Sequence, residues 1–218
     1  MFKFFFILLK KDLTANFSDN KAWFTIAFFI LCLLVFPLSF FFQSTLQLNI
    51  SIPAIWISAI FANLISLDQM YKEDYNDGTL TYYFINDVPF FSVVYAKCFS
   101  HWFFSGIPII LIAPFCLYLL SGETANIKNL ILALALGTAI MTLIGSPISA
   151  LMLGSSARGA MLAFITLPFY LPIIIFGVLG TNVLQNNINA EIYLLSAILC
   201  LGILIFPLLT IKILRNII

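Results

Sequence analysis

An all-α, polytopic membrane protein is the fold class this sequence predicts, and three observations predict it. Hydrophobic residues make up 62% of the 218 and charged residues only 9%, whereas a soluble domain carries about 25% charged residues. Six apolar stretches, approximately 22–43, 50–67, 98–120, 129–153, 160–180 and 190–211, are each long enough to cross roughly 30 Å of hydrocarbon at 1.5 Å per residue. The basic residues fall almost entirely on alternate connections between those stretches. A net charge of +1 without any basic cluster gives no ground for a nucleic-acid partner. The lipid bilayer is the partner that composition demands.

Taken in order, residues 2–17 alternate apolar and cationic positions, with Lys3, Lys10 and Thr14 roughly on one side. That pattern predicts an interfacial helix lying on the membrane ahead of the first span. Ser18, Asp19 and Asn20 break it. Its apolar run, Phe4 to Leu9, is short for a secretory signal and no small-residue cleavage site follows. Of nine prolines, only Pro89 falls outside a predicted span, and a helical bundle tolerates the others where neighbours satisfy the freed carbonyls. Span four and its exit are rich in small residues (Gly137, Thr138, Gly145, Ser146, Ser149, Ala150, Gly154), which let helices approach closely. Cys32, Cys98, Cys116 and Cys200 sit in or beside apolar runs at no metal-binding spacing, so they read as small packing residues.

With the N-terminus in the cytoplasm, Lys3, Lys10, Lys11, Lys21, Lys72, Lys97, Arg158, Lys212 and Arg215 all lie inside and only Lys128 lies outside. Both termini are then cytoplasmic, as is the connection between spans two and three. The external loops, about 44–49, 121–128 and 181–189, are short and nearly uncharged.

The one long polar interruption is Leu67–Lys97, LDQMYKEDYNDGTLTYYFINDVPFFSVVYAK, with Asp68, Glu73, Asp74, Asp77 and Asp87 against Lys72 in its first two-thirds. Leu67, Met70, Tyr71 and Tyr75 recur at helical spacing. The spacing predicts a short amphipathic helix stopped at Asp77-Gly78, where glycine accepts the left-handed conformation, then a second apolar-faced segment from near Pro89 that Asn86 or Asp87 can cap. Being acidic, this helix is repelled by anionic lipid, and a protein surface suits it better. Its carboxylates read as a partner-facing surface ahead of a catalytic or magnesium site. No GxxxxGK[ST] occurs, so ATP chemistry would need another chain.

His101 is the only histidine, near the cytoplasmic end of span three beside Trp102. It is read as an interfacial anchor first, and as an intramembrane ligand or proton relay second. Arg158, in the turn between spans four and five, either snorkels to the interface or pairs with an acid of the 67–97 segment. No histidine lies at the outer face and no CxxCH occurs.

Leu67-Asp68, Asp74, Asp77-Gly78-Thr79-Leu80, Ala96-Lys97, His101-Trp102, Gly106 and Pro108 resemble the permease subunit of the cytochrome c maturation ABC transporter, the haem exporter B (CcmB) family. The similarity continues through Gly137-Thr138, Gly145-Ser146-Pro147, Arg158-Gly159, Leu167-Pro168 and Pro172 to Ile175-Phe176; Ala160 departs from a second glycine expected after Arg158-Gly159. The resemblance implies a single permease domain over 1–218 in a bacterial inner membrane. It implies no catalytic residue or metal in this chain, with ATP and haem handled by two partners: a cytoplasmic ABC ATPase and a membrane protein with external histidines. It implies that a helix between spans two and three docks into the ATPase, which puts Asp68, Tyr71, Glu73, Asp74, Tyr75, Asp77 and Gly78 at the contact, with Lys97, His101 and Arg158 as coupling or haem-related candidates. A permease for lipid, polysaccharide or drug export and a non-transport assembly scaffold are the alternatives.

Overall fold

Nine α-helices and no strand run through the described residues of the computed structural model. The backbone is described for residues 2–18, 21–39, 47–121, 126–155, 158–181 and 190–217, and side chains for 4–14, 23–35, 50–121, 126–155, 159–181 and 190–217. The helices are α1 (Phe2–Ser18), α2 (Lys21–Ser39), α3 (Gln47–Gln69), α4 (Lys72–Asn76), α5 (Thr79–Ile85), α6 (Phe90–Ser121), α7 (Ile127–Leu151), α8 (Arg158–Thr181) and α9 (Ala190–Ile217). The break expected at Asp19 and Asn20, most of each external loop, and the side chains of Pro37 and Arg158 lie outside the described residues.

Among the described residues, five helices are long and apolar enough to cross a membrane: α3, α6, α7, α8 and α9. The first expected span corresponds to α2, whose described apolar stretch, Trp23–Val35, is shorter than a crossing. The polytopic all-α class therefore stands, with five spans counted and α2 the remaining candidate for the sixth.

The third span differs from its expected extent. The segment predicted from near Pro89 and the span predicted from residue 98 are one 32-residue helix, α6. Nothing between Phe90 and Lys97 breaks a helix, so the apolar-faced segment runs straight into the membrane stretch. At 1.5 Å per residue α6 is about 48 Å long, well beyond a hydrocarbon thickness of about 30 Å. The interior prolines Pro53, Pro108, Pro114, Pro147, Pro168, Pro172 and Pro207 all lie within unbroken helices.

Helix α7 sits at the centre, packed against α3, α6, α8 and α9. Every residue from Met141 to Ala150 is buried, so this stretch touches protein on all sides. Glycines make that possible. Trp56 of α3 is completely buried between Gly137 of α7 and Gly177 of α8. A Cβ on Gly137 would lie 2.5 Å from Trp56 Cη2, and one on Gly177 would overlap the same indole. Leu67 fills a like notch at Gly145. In lipid the hydrophobic effect supplies no force between helices, so such close van der Waals contact is what selects one packing. By contrast α8 and α9 turn Phe164, Leu171, Leu204 and Leu208 outward.

A hydroxyl stripe on α7 (Thr138, Thr142, Ser146, Ser149) provides the second kind of contact. Trp102 Nε1 donates to Thr138 Oγ1 at 3.1 Å, and His101 Nδ1 lies 3.2 Å from Thr142 Oγ1. Tyr71 Oη is 2.8 Å from Ser146 Oγ, which is 3.1 Å from Thr210 Oγ1 of α9, and Ser149 donates to the Leu67 carbonyl at 3.0 Å. The stripe thus fastens α3, α6 and α9 to one helix.

Candidate functional site

The 67–97 segment folds as a compact helical hairpin. Helix α3 ends at Gln69, and after a turn at Met70-Tyr71 the chain forms the single-turn helix α4. Asp77 closes α4 by donating its N–H to the Glu73 carbonyl at 2.9 Å, and Gly78 follows at φ +71°. This is the glycine stop that the sequence predicts, because a Cβ would clash in the left-handed region. The amphipathic helix expected through Leu67–Tyr75 is therefore interrupted. Helix α5 was not expected, because its residues, TLTYYFI, are all β-branched or aromatic except Leu80. Asn86 caps α5 rather than α6, its Nδ2 donating to the Tyr82 carbonyl at 2.9 Å, and Asp87 turns the chain at φ +51°.

The seven residues expected to face a partner divide into two groups. Glu73, Tyr75 and Asp77 are exposed. Asp68 is half-buried with Lys72 at 3.6 Å, and Gly78 is half-buried at the turn. Tyr71 is completely buried and is spent on Ser146. Asp74 is 8% exposed and is the buried residue of α4. The expectation that Tyr71 and Asp74 offer themselves to a partner is corrected here. Both point into the molecule, because the apolar periodicity that marked Tyr71 is a core face and because Asp74 meets cations there.

Those cations come from α1 and α6. Lys97 Nζ is 2.6 Å from Asp74 Oδ2 and 3.4 Å from Asp12 Oδ1. Lys11 Nζ is 3.7 Å from Asp74 Oδ1, donates to Tyr83 Oη at 3.0 Å, and stands 5.4 Å from the centre of that ring. Two ammonium groups and two carboxylates form a neutral quartet. Leu8, Tyr83, Val93 and Ala96 pack as an apolar patch beside it. Helix α1 is thus docked on α6 over the hairpin, where the sequence predicts a helix lying on lipid alone. Burial holds the Asp12 carboxyl above the ordinary aspartate range, partly offset by Lys97 and reinforced by the negative charge of Asp74. Burial works against the charge on Lys11, but the Tyr83 hydrogen bond and Asp74 outweigh it and leave its pKa above the usual lysine value.

Asp12 is the member of the quartet that sequence reasoning missed. The signal was present: Phe5, Leu8 and Asp12 fall on one helical face, and a lone acid on an apolar stripe implies a buried cation. Of the remaining candidates, Lys97 joins the quartet. His101 is 7% exposed and faces α7, so it is no interfacial anchor. Its Nδ1 lies 3.2 Å from Thr142 Oγ1, and its Nε2 is buried without a hydrogen-bond partner. The structure does not bring it to the quartet. Cys98 and Cys116 are buried and Cys200 is exposed, all as free thiols. Among the described residues no group of His, Cys, Asp or Glu side chains is arranged to hold a metal ion.

A bundle of apolar helices around a glycine-notched centre, with a folded, internally ion-paired polar hairpin between two of them, defines a polytopic α-helical membrane protein. The chain belongs to the CcmB protein family, whose model matches residues 3–216. It is 32% identical over 164 residues to Heme exporter protein B of Pseudomonas aeruginosa, covering 75% of this chain and 72% of that one. It is 29% identical over 190 residues to the protein of the same name in Haemophilus influenzae, covering 86% and 84%. With that of Escherichia coli K12 it is 29% identical over 175 residues, covering 80% and 78%.

Proposed function

We propose that the chain is the membrane permease subunit through which a separate cytoplasmic ABC ATPase drives haem export, or release of haem to an acceptor, in the maturation of c-type cytochromes. Family membership and the name of its relatives support the haem assignment. The observation that carries the coupling is the division of the α4 region. One side is pinned by buried ion pairs, and the other exposes Glu73, Tyr75 and Asp77 on the connection that charge asymmetry puts in the cytoplasm. An exposed acidic rim with a tyrosine fits a basic groove better than it fits anionic lipid. Haem is the cargo, handled at the outer face by a membrane partner that supplies the histidines this chain lacks there. With α2 as the first of six spans, both termini lie on the cytoplasmic side of a bacterial inner membrane.

Glu73→Lys with Asp77→Lys is the informative test, since replacing Asp74 would also break the internal pairs. The double variant is expected to accumulate normally and to lose co-purification of the ATPase. Unchanged recovery removes the docking surface. Intact covalent haem in c-type cytochromes after deletion of the chain removes the haem assignment.

A further inference from the structure

The quartet does something the docking surface cannot do for itself. Helix α4 is a single turn, too short to hold its own direction. Its one buried side chain is Asp74, so the pose of the exposed Glu73, Tyr75 and Asp77 depends on where that carboxylate is held. Asp74 is held on both oxygens, by Lys97 from α6 and by Lys11 from α1. Lys97 is in turn held by Asp12, one residue along α1 from Lys11. Helix α1 is itself seated on α6 through Leu8 against the Tyr83, Val93 and Ala96 patch. The contacts form a closed loop: α4 to α6, α6 to α1, and α1 back to α4. An apolar contact would let a one-turn helix slide; charges meeting at named atoms do not.

We propose that α1 is the strut of the coupling segment, and that Asp12 and Lys97 are positioning residues which fix the pose of α4 so that movement of the bound ATPase is delivered along α6. Neither residue touches the ATPase. Helix α6 is the receiving element, because it begins at the hairpin and continues across the bundle to Ser121. This inference rests on the coupling reading above, and its test separates the two.

Asp12→Asn is the leading variant, because it leaves Lys97 on Asp74 and asks least of folding. It is read in membranes carrying the whole complex, as haem attached to c-type cytochrome per ATP hydrolysed, a ratio that loss of folded protein leaves unchanged. The expected result is ATPase recovery near wild type with that ratio lowered about ten-fold, within the usual range of coupling between sites. Asp12→Glu, which keeps the charge, is expected to restore most of the ratio, and Lys97→Gln to lower it as Asp12→Asn does. An unchanged ratio in both Asp12→Asn and Lys97→Gln overturns the proposal. So does a fall in ATPase recovery, ATP turnover and haem attachment in strict proportion to chain level, which is the mark of a purely structural role. If Glu73→Lys with Asp77→Lys leaves ATPase recovery intact, the coupling reading itself has failed. If that pair abolishes recovery while Asp12→Asn behaves as wild type, only the strut has failed.

Discussion

The α7 core and the α1–α4–α6 corner are held together by opposite means. Around α7 the helices meet through glycine notches and neutral hydroxyls, with Trp56 filling the space between Gly137 and Gly177 and Ser146 linking Tyr71 to Thr210. At the corner the cross-helix polar contacts are full charges around Lys97. Neutral contacts are each small and add up over a long interface. A buried charge costs little while paired and a great deal once its partner is removed. The comparison teaches where each region is sensitive: the core to volume, the corner to charge.

The largest effect is therefore expected at the corner. Lys97→Met leaves Asp12 and Asp74 facing each other, and its cost is about 3–5 kcal/mol, seen as a lowered melting temperature in detergent or nanodiscs. A variant as stable as wild type would show that water, and not Lys97, satisfies those carboxylates. Next comes the core: Gly177→Ala drives a methyl into the Trp56 indole, at about 1–3 kcal/mol by the same melt, whereas Gly159→Ala, which meets nothing, is expected to be silent. Equal effects at the two glycines would end the argument from close packing. Tyr71→Phe removes one hydroxyl from the stripe and is expected to cost about 0.6 kcal/mol, with about 1.7 as the ceiling. A larger loss would mean that the Ser146–Thr210 pair is organised from Tyr71.

The smallest effect is one of pH. The Lys11 pKa is raised on folding, so its contribution is complete below the ordinary lysine value of about 10.4 and is lost as pH climbs through the higher folded value. Limited proteolysis within α1 should accelerate only above that point, and Lys11→Met should weaken the dependence, leaving the part that comes from Lys97 on Asp12. A loosening of α1 between neutral pH and about 10 would not come from Lys11.

Legibility in the sequence followed the range of the interaction. Apolar runs gave the helices from α3 onward to within a few residues wherever lipid alone sets the ends, as for α7 and α8. They were eight residues late for α6, whose first two turns are mostly buried against protein and end at Lys97, a charge that reads as the edge of a span. The Gly78 stop was legible because the left-handed conformation is a local property. The inward turn of Asp74 and Tyr71 was not, since a helical period shows that a face exists and leaves open what covers it. His101 was misplaced for the same reason: Thr142, its partner, lies on another helix.

By itself the sequence determined an all-helical membrane chain and one folded acidic interruption, and its short motifs pointed to a family. The chain class and the interruption follow from hydropathy and glycine geometry, which act within a few residues or between a residue and its solvent, and the family from the matching of short motifs. Only the tertiary structure decided that Asp12 answers Lys97, that Lys97 answers Asp74, and that α1 is braced on the hairpin. Those depend on side chains distant in sequence converging at one point, and a Coulomb interaction is indifferent to how much chain lies between its partners.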